Sequence, residues 1–77
     1  MKNVVLCLAR ALVNRPDRVR VDEFDDDDGT TVYELEVSPE DRGRVIGRRG
    51  RTVDAMRTIV DAIGRRQGGR YDVEILE

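Results

Sequence analysis

One stretch of this chain has the residue types and spacing to hold a polyanion: Gly43-Arg44-Val45-Ile46-Gly47-Arg48-Arg49-Gly50-Arg51-Thr52-Val53. Two glycines, Gly47 and Gly50, bracket two arginines. Glycine admits positive φ angles and removes the Cβ atoms that would keep another backbone at a distance. A helix starting near Arg51 would present unpaired N–H groups and a partial positive charge to an anion. Arg48 and Arg49 would project from the tip, with Arg44 and Arg51 beside them, where phosphates could sit. Val45, Ile46 and Val53 are placed to anchor the loop in a core on either side. By itself the tetrapeptide Gly47–Gly50 is equally compatible with an ordinary connector between helices whose arginines face solvent.

Composition removes most other chemistries. The chain has 77 residues, no His and a single Cys, so neither an intrachain disulfide nor the usual zinc ligand sets can be assembled. Without His there is no Ser-His-Asp or Cys-His arrangement, and the commonest general base is missing. Lys2 is the only lysine and stands at the terminus. An enzyme is therefore not expected, nor is a cofactor. Acids such as Asp22, Glu23 or Asp41 offer the one remaining catalytic possibility. The acidic run Asp25–Asp28 could at most hold a divalent cation weakly, because its spacing matches no calcium-binding loop.

The formal net charge of −2 conceals a segregation. Residues 22–28 carry six acids and no base, whereas residues 42–51 carry five arginines and no acid. Local potential counts only within about a Debye length, ~8 Å at physiological salt, so an acidic protein with one basic stretch can still bind a polyanion. No run approaches the roughly 20 apolar residues of a membrane span. The short apolar run Val4–Ala9 reads as a buried helix rather than a leader, with Cys7 as a small buried hydrophobe. A cytoplasmic protein with a reduced thiol is the expectation.

The elements that must position the basic stretch can be read from periodicity. Val5, Leu8, Ala9 and Leu12 form a helical stripe over Lys2–Asn14, widened by Val4, Ala11 and Val13, and Asn14 and Pro16 stop it. Val19 and Val21 alternate with Arg18, Arg20 and Asp22 in a first strand over Arg18–Phe24. Phe24 breaks the alternation, which predicts a bulge or an early end. Tyr33, Leu35 and Val37 alternate in a second strand over Thr31–Val37, and Asp28-Gly29 between the two is a hairpin signal. Ser38-Pro39-Glu40-Asp41 predicts a helix start, with Ser38 as N-cap, Pro39 at the first position and Asp41 as capping partner. This short helix ends at Gly47. A longer one begins near Arg51, with Val53, Met56, Val60 and Ile63 as its stripe, Ala55, Ile59 and Ala62 as its flank, and Gly64 and Gly68-Gly69 closing it. A last strand covers Tyr71–Ile75. The order is α-β-β-α-α-β, an α+β fold with a three-stranded sheet whose one face the helices cover. Tyr33 and Tyr71 fall on the apolar parity of their strands and read as core residues. Arg57, Arg65 and Arg66 read as solvated helix residues.

Val45-Ile46-Gly47-Arg48-Arg49-Gly50 followed by Val53 resembles the signature of the KH domain, whose GXXG loop clamps about four nucleotides of a single strand. The element order resembles the type II arrangement, in which a helix and a strand precede the β-α-α-β core, and it would make residues 1–77 a single KH domain with a mixed sheet. Gly43–Thr52 and Ala55-Met56-Arg57-Thr58 resemble, more narrowly, the small stand-alone bacterial KhpA (YlqC) proteins.

Read from the residues, Arg44, Arg48, Arg49 and Arg51 would supply phosphate contacts that position a strand without reading its sequence. Val45, Ile46 and Val53 would floor a narrow groove beside the loop. The chemistry leaves RNA and DNA open. The resemblance implies single-stranded RNA, gripped by residues 44–53 including Gly47, Gly50 and Thr52. It also implies RNA-chaperone activity, a homodimer or a pairing with a larger KhpB-type protein, and a link to cell elongation and the envelope. The competing class is a protein-interaction module in which the two-glycine loop and its adjacent helix form a dimer seam.

Overall fold

A computed structural model describes all 77 residues. Helix α1 covers Lys2–Leu12, and the chain then turns through a short 3-10 segment at Pro16–Arg18 into strand β1, Arg20–Asp25. Strand β2 is Thr30–Glu36. A second 3-10 turn at Pro39–Asp41 leads into the five-residue helix α2, Arg42–Ile46. A third, at Arg48–Gly50, leads into α3, Arg51–Gln67, and strand β3 is Arg70–Ile75. The sheet order is β1-β2-β3, with β1 antiparallel and β3 parallel to the central β2. This mixed sheet, with its helices on one face, is the α-β-β-α-α-β architecture the sequence predicts. No helix is long and apolar enough to cross a membrane.

The core lies between the sheet and the helices. It joins Val5 and Ala9 of α1, Val21, Tyr33, Leu35 and Val73 of the sheet, Val45 of α2, and Met56 and Val60 of α3. Nine of the thirteen buried apolar residues are valines. Side chains this small leave each contact modest, since a fully buried Val or Leu contributes about 1.5–3 kcal/mol. Polar fasteners therefore carry more of the tertiary definition here than in a larger domain.

Two such fasteners depart from the sequence expectation. Asp41 does not cap α2, and neither does Ser38. The Asp41 side chain is fully buried. Its two carboxylate oxygens accept the backbone N–H groups of Asn14 and Arg15, each at 3.1 Å, which pins the end of α1 to the start of α2. Arg57 is not a solvated helix residue. Its Nε donates to the Val73 carbonyl at 2.9 Å, and the guanidinium pairs with Asp54 at 3.1 Å and Asp72 at 3.5 Å, which ties α3 to β3.

Other differences have simple causes. Helix α1 stops at Leu12 because Val13 is already extended, at φ −101° and ψ 159°. Phe24 causes no bulge: the pairing continues without interruption through Glu23↔Tyr33, Phe24↔Val32 and Asp25↔Thr31. It breaks the alternation because it stands on the sheet face away from the helices, opposite Val32. Gly64 does not end α3, which continues to a left-handed cap at Gly68. Gly64 is there because a Cβ would lie 2.4 Å from the Tyr71 ring. Ala55, Ile59 and Ala62 are exposed rather than flanking the core, and Cys7 is exposed as well.

The acidic run forms the hairpin tip. Gly29, at φ 87°, donates its N–H to the Asp26 carbonyl at 3.1 Å, and Asp26 donates to the Thr30 carbonyl at 2.8 Å. The Asp28 carboxylate accepts the Thr30 N–H at 3.0 Å, and that bond holds its pKa below the ordinary value. Arg70 reaches across from β3 to the Asp28 carbonyl.

Two predictions follow from the core. Asp41→Ala should cost about 1–3 kcal/mol in urea unfolding, because two backbone donors lose their acceptor. Tyr33 is buried and stacked on Tyr71 at 6.1 Å between ring centroids, and burial followed by the nearby Glu23 charge pushes its pKa from 10.0 to about 12. The neutral phenol is the form the fold accommodates, so stability is full below pH 10 and falls by about 2–3 kcal/mol as the pH rises towards 12. Absorbance titration at the phenolate band should show a delayed step that is lost in Tyr33→Phe.

Candidate nucleic-acid interface

Helix α2 ends because Gly47 leaves the helical region, at φ 77° and ψ 172°, while its N–H still closes the last turn on the Gly43 carbonyl at 2.8 Å. The chain then passes through Arg48, a left-handed Arg49 (φ 57°, ψ 29°) and a left-handed Gly50 (φ 75°, ψ 11°) before α3 begins. The two glycines have different reasons. A Cβ at Gly47 would lie 2.2 Å from Thr52 Oγ1 and 2.8 Å from the Thr52 backbone nitrogen. A Cβ at Gly50 would meet nothing within 4 Å, so Gly50 answers to its φ alone and leaves open space above the backbone. Gly43, one turn earlier, is likewise open.

Arg49 is informative because it is not glycine. An L-residue in the left-handed region costs about 1–2 kcal/mol relative to right-handed geometry, and glycine would avoid that cost. A guanidinium is displayed there in spite of it. Arg44, Arg48, Arg49 and Arg51 are all exposed, and none makes an ion pair within the protein. The internal ion pairs are made by Arg15, Arg57 and Arg65 instead. No side chain caps the N-terminus of α3.

The structure gathers the ten sequence-predicted residues around one bend but gives them unequal surfaces. Val45 is fully buried in the core and Val53 is 5% exposed, so both support the loop from beneath. Ile46 is half-buried and is the one member of the expected apolar floor with surface to offer. Thr52 is half-buried against Gly47. The expected groove is not a closed trough: the two concavities of the protein lie elsewhere, and neither is lined by the loop. The tip is an open ledge with four free guanidiniums. No group of three or more His, Cys, Asp or Glu side chains is arranged to hold a metal ion. Sequence reasoning missed Gly43 as open backbone. The signal available was a glycine inside a short helix, where that residue lowers stability unless its bareness has a use.

A type II topology with a two-glycine bend between α2 and α3 defines this protein as a KH domain. The family described as "KhpA/KhpB, KH domain" matches residues 2–75, and the chain belongs to it. It is 47% identical over 77 residues to the RNA-binding protein KhpA of Aquifex aeolicus, covering all of this chain and 96% of that protein. It is 44% identical to the RNA-binding protein KhpA of Halalkalibacterium halodurans over the full length of both. The KhpA of Clostridium perfringens, also an RNA-binding protein, is 41% identical over 76 residues, 99% of this chain and all of that protein. The family is not enzymatic.

The contrast between the glycines gives a stability prediction. Gly47→Ala should cost at least about 2–3 kcal/mol, because strain at positive φ adds to a clash that involves backbone. Gly50→Ala should cost about 1 kcal/mol, from φ alone. Urea midpoints of the two variants measure the difference, and adding Thr52→Ala should not rescue Gly47→Ala, since the Thr52 nitrogen remains.

Proposed function

We propose that this protein binds single-stranded RNA and grips its backbone with the Gly47–Gly50 loop. One observation carries the reading: four arginines, all exposed and without internal partners, surround a bend whose backbone is bare at Gly43 and Gly50. The names of the full-length relatives, which are RNA-binding proteins, support RNA over DNA. Phosphates lie along the bend and meet Arg44, Arg48, Arg49 and Arg51. Bases turn towards Ile46 and the start of α3. Val45 and Val53 hold the bend to the core, and Thr52 sets the approach of α3.

Such a site touches few phosphates and reads few bases, so binding is modest in affinity and salt-dependent, with a slope of about −3 in log–log form for four phosphates on a single strand. Weak sites gain from linkage, which favours a second copy or a KhpB-type partner. The family name, which joins KhpA with KhpB, supports such a pairing. In this reading the protein acts in the cytoplasm as an RNA chaperone with a role in cell elongation and envelope homeostasis.

A second reading has a specific observation behind it. Ile59 is 42% exposed on α3, with Ala55 and Ala62 exposed beside it, an apolar stripe on the helix that follows the loop. In that reading the loop and α3 form a dimer seam. Light scattering beside an RNA titration separates the two, because a dimer whose formation hides the loop favours the seam.

Arg48→Asp with Arg49→Asp tests the main reading. Asp tolerates the left-handed conformation at position 49 better than most residues, and both sites are exposed, so stability should change by no more than about 0.5 kcal/mol. Mobility-shift titration with a single-stranded RNA should lose its shifted band. Unchanged affinity in a folded double variant overturns the mechanism.

A further inference from the structure

The largest cavity of the protein, about 370 Å3, lies away from the loop, where β1 begins, β2 ends and the chain turns into α2. Its wall carries three guanidiniums, Arg18, Arg20 and Arg42, and two carboxylates, Asp17 and Glu36. None of these five side chains makes an ion pair within the protein. Arg42 is only partly exposed, and its Nε is the one buried side-chain nitrogen or oxygen in the molecule without a hydrogen-bond partner. Buried donors are nearly always satisfied, and this exception belongs to a side chain that also lines the cavity.

We infer that this cavity binds a phosphate group. Three guanidiniums present many N–H donors in planar forks, which match an oxyanion with several acceptor oxygens better than a neutral or cationic guest. A water molecule carries no charge and would leave three unpaired positive charges facing one opening. The wall's three positive charges outnumber its two negative ones, so an anion is favoured, and the carboxylates keep its hold weak. The phosphate has two possible sources, a nucleic-acid backbone or a small phosphate compound. Helix α2 joins this cavity to the two-glycine bend and is only five residues long, about 7.5 Å. Gly43 lies between them with nothing over it. A strand held at the bend can therefore continue along α2 to the cavity. A small phosphate compound needs no such path, and the site does not depend on RNA binding at the loop.

The test is a titration of the full chain with inorganic phosphate at constant ionic strength, followed by nitrogen–proton NMR. The expected result is a saturating shift of the Arg18, Arg20 and Arg42 Nε–H signals and of the Ser38 amide. Arg42→Gln should weaken the interaction roughly tenfold, and Glu36→Gln should tighten it several-fold. Arg20→Gln, at an exposed position, keeps the test valid if Arg42→Gln does not fold, and it too should weaken binding. Signals that stay still, or that move equally with chloride, overturn the proposal, as does a Glu36→Gln variant that binds no better. A parallel titration with single-stranded RNA identifies the source. Cavity shifts with RNA indicate a strand phosphate, and shifts with inorganic phosphate alone indicate a small ligand. The Arg48→Asp, Arg49→Asp variant should retain its phosphate-induced shifts, so the loop and the cavity succeed or fail independently.

Discussion

Between Gly47 and Thr52 there is no room for a methyl group: a Cβ on Gly47 would lie within 3 Å of three Thr52 atoms, one of them backbone. This close approach lets α2 end and α3 begin within four residues while both helices stay docked on one small core. Val45 on one side and Val53 on the other are buried, so the loop between them cannot relax inward or outward without disturbing packed residues. The tip is left to be shaped by backbone angles, with Arg49 and Gly50 both left-handed. Its form therefore does not rely on its side chains, which remain free to face a ligand.

The acids are arranged on a different principle. Those of the hairpin serve their own turn, Asp26 through the Asp27 N–H and Asp28 through the Thr30 N–H. Alternation along the paired strands places Asp22, Glu34, Glu36 and Glu74 on the sheet face away from the helices, whereas Asp72 reaches Arg57 of α3. Arg20, the register partner of Glu36, stands on that face with them, so its charge is mixed where β1 begins. In a molecule with a net charge of −2, positive charge without an internal partner gathers at the two-glycine bend and at the Arg18, Arg20 and Arg42 wall, and screening confines each potential to about 8 Å.

Local patterns carried most of the architecture. Period-two alternation placed all three strands within two residues of their observed ends, and Gly47 and Gly68 end their helices as their type suggests. The bend and its ten residues were legible because glycine, arginine and valine each have a narrow range of uses at that spacing. What escaped was tertiary. Asp41 has the position of a capping residue, and only the three-dimensional arrangement brings the end of α1 within reach of its carboxylate. Arg57 reads as surface until β3 supplies a carbonyl at 2.9 Å. Phe24 reads as a fault in the strand because sequence alternation does not say which face a lone aromatic prefers. The cavity at Arg42 draws its wall from three separate stretches of the chain, residues 17–20, 36–39 and 42, and no local pattern joins them.

Arg57 and the loop arginines set the same side chain in opposite surroundings. Arg57 directs Nε to a carbonyl and to Asp72 and Nη1 to Asp54, so its charge is met within the fold. Arg44, Arg48, Arg49 and Arg51 make no such contact, and Arg49 occupies a conformation that glycine would adopt more cheaply. The positive charge of these four arginines therefore has no partner within the protein. In the proposed reading, a polyanion supplies that partner. The close Gly47–Thr52 approach fixes the bend whether or not that charge is met, so the arginines are held ready without depending on a ligand for their placement.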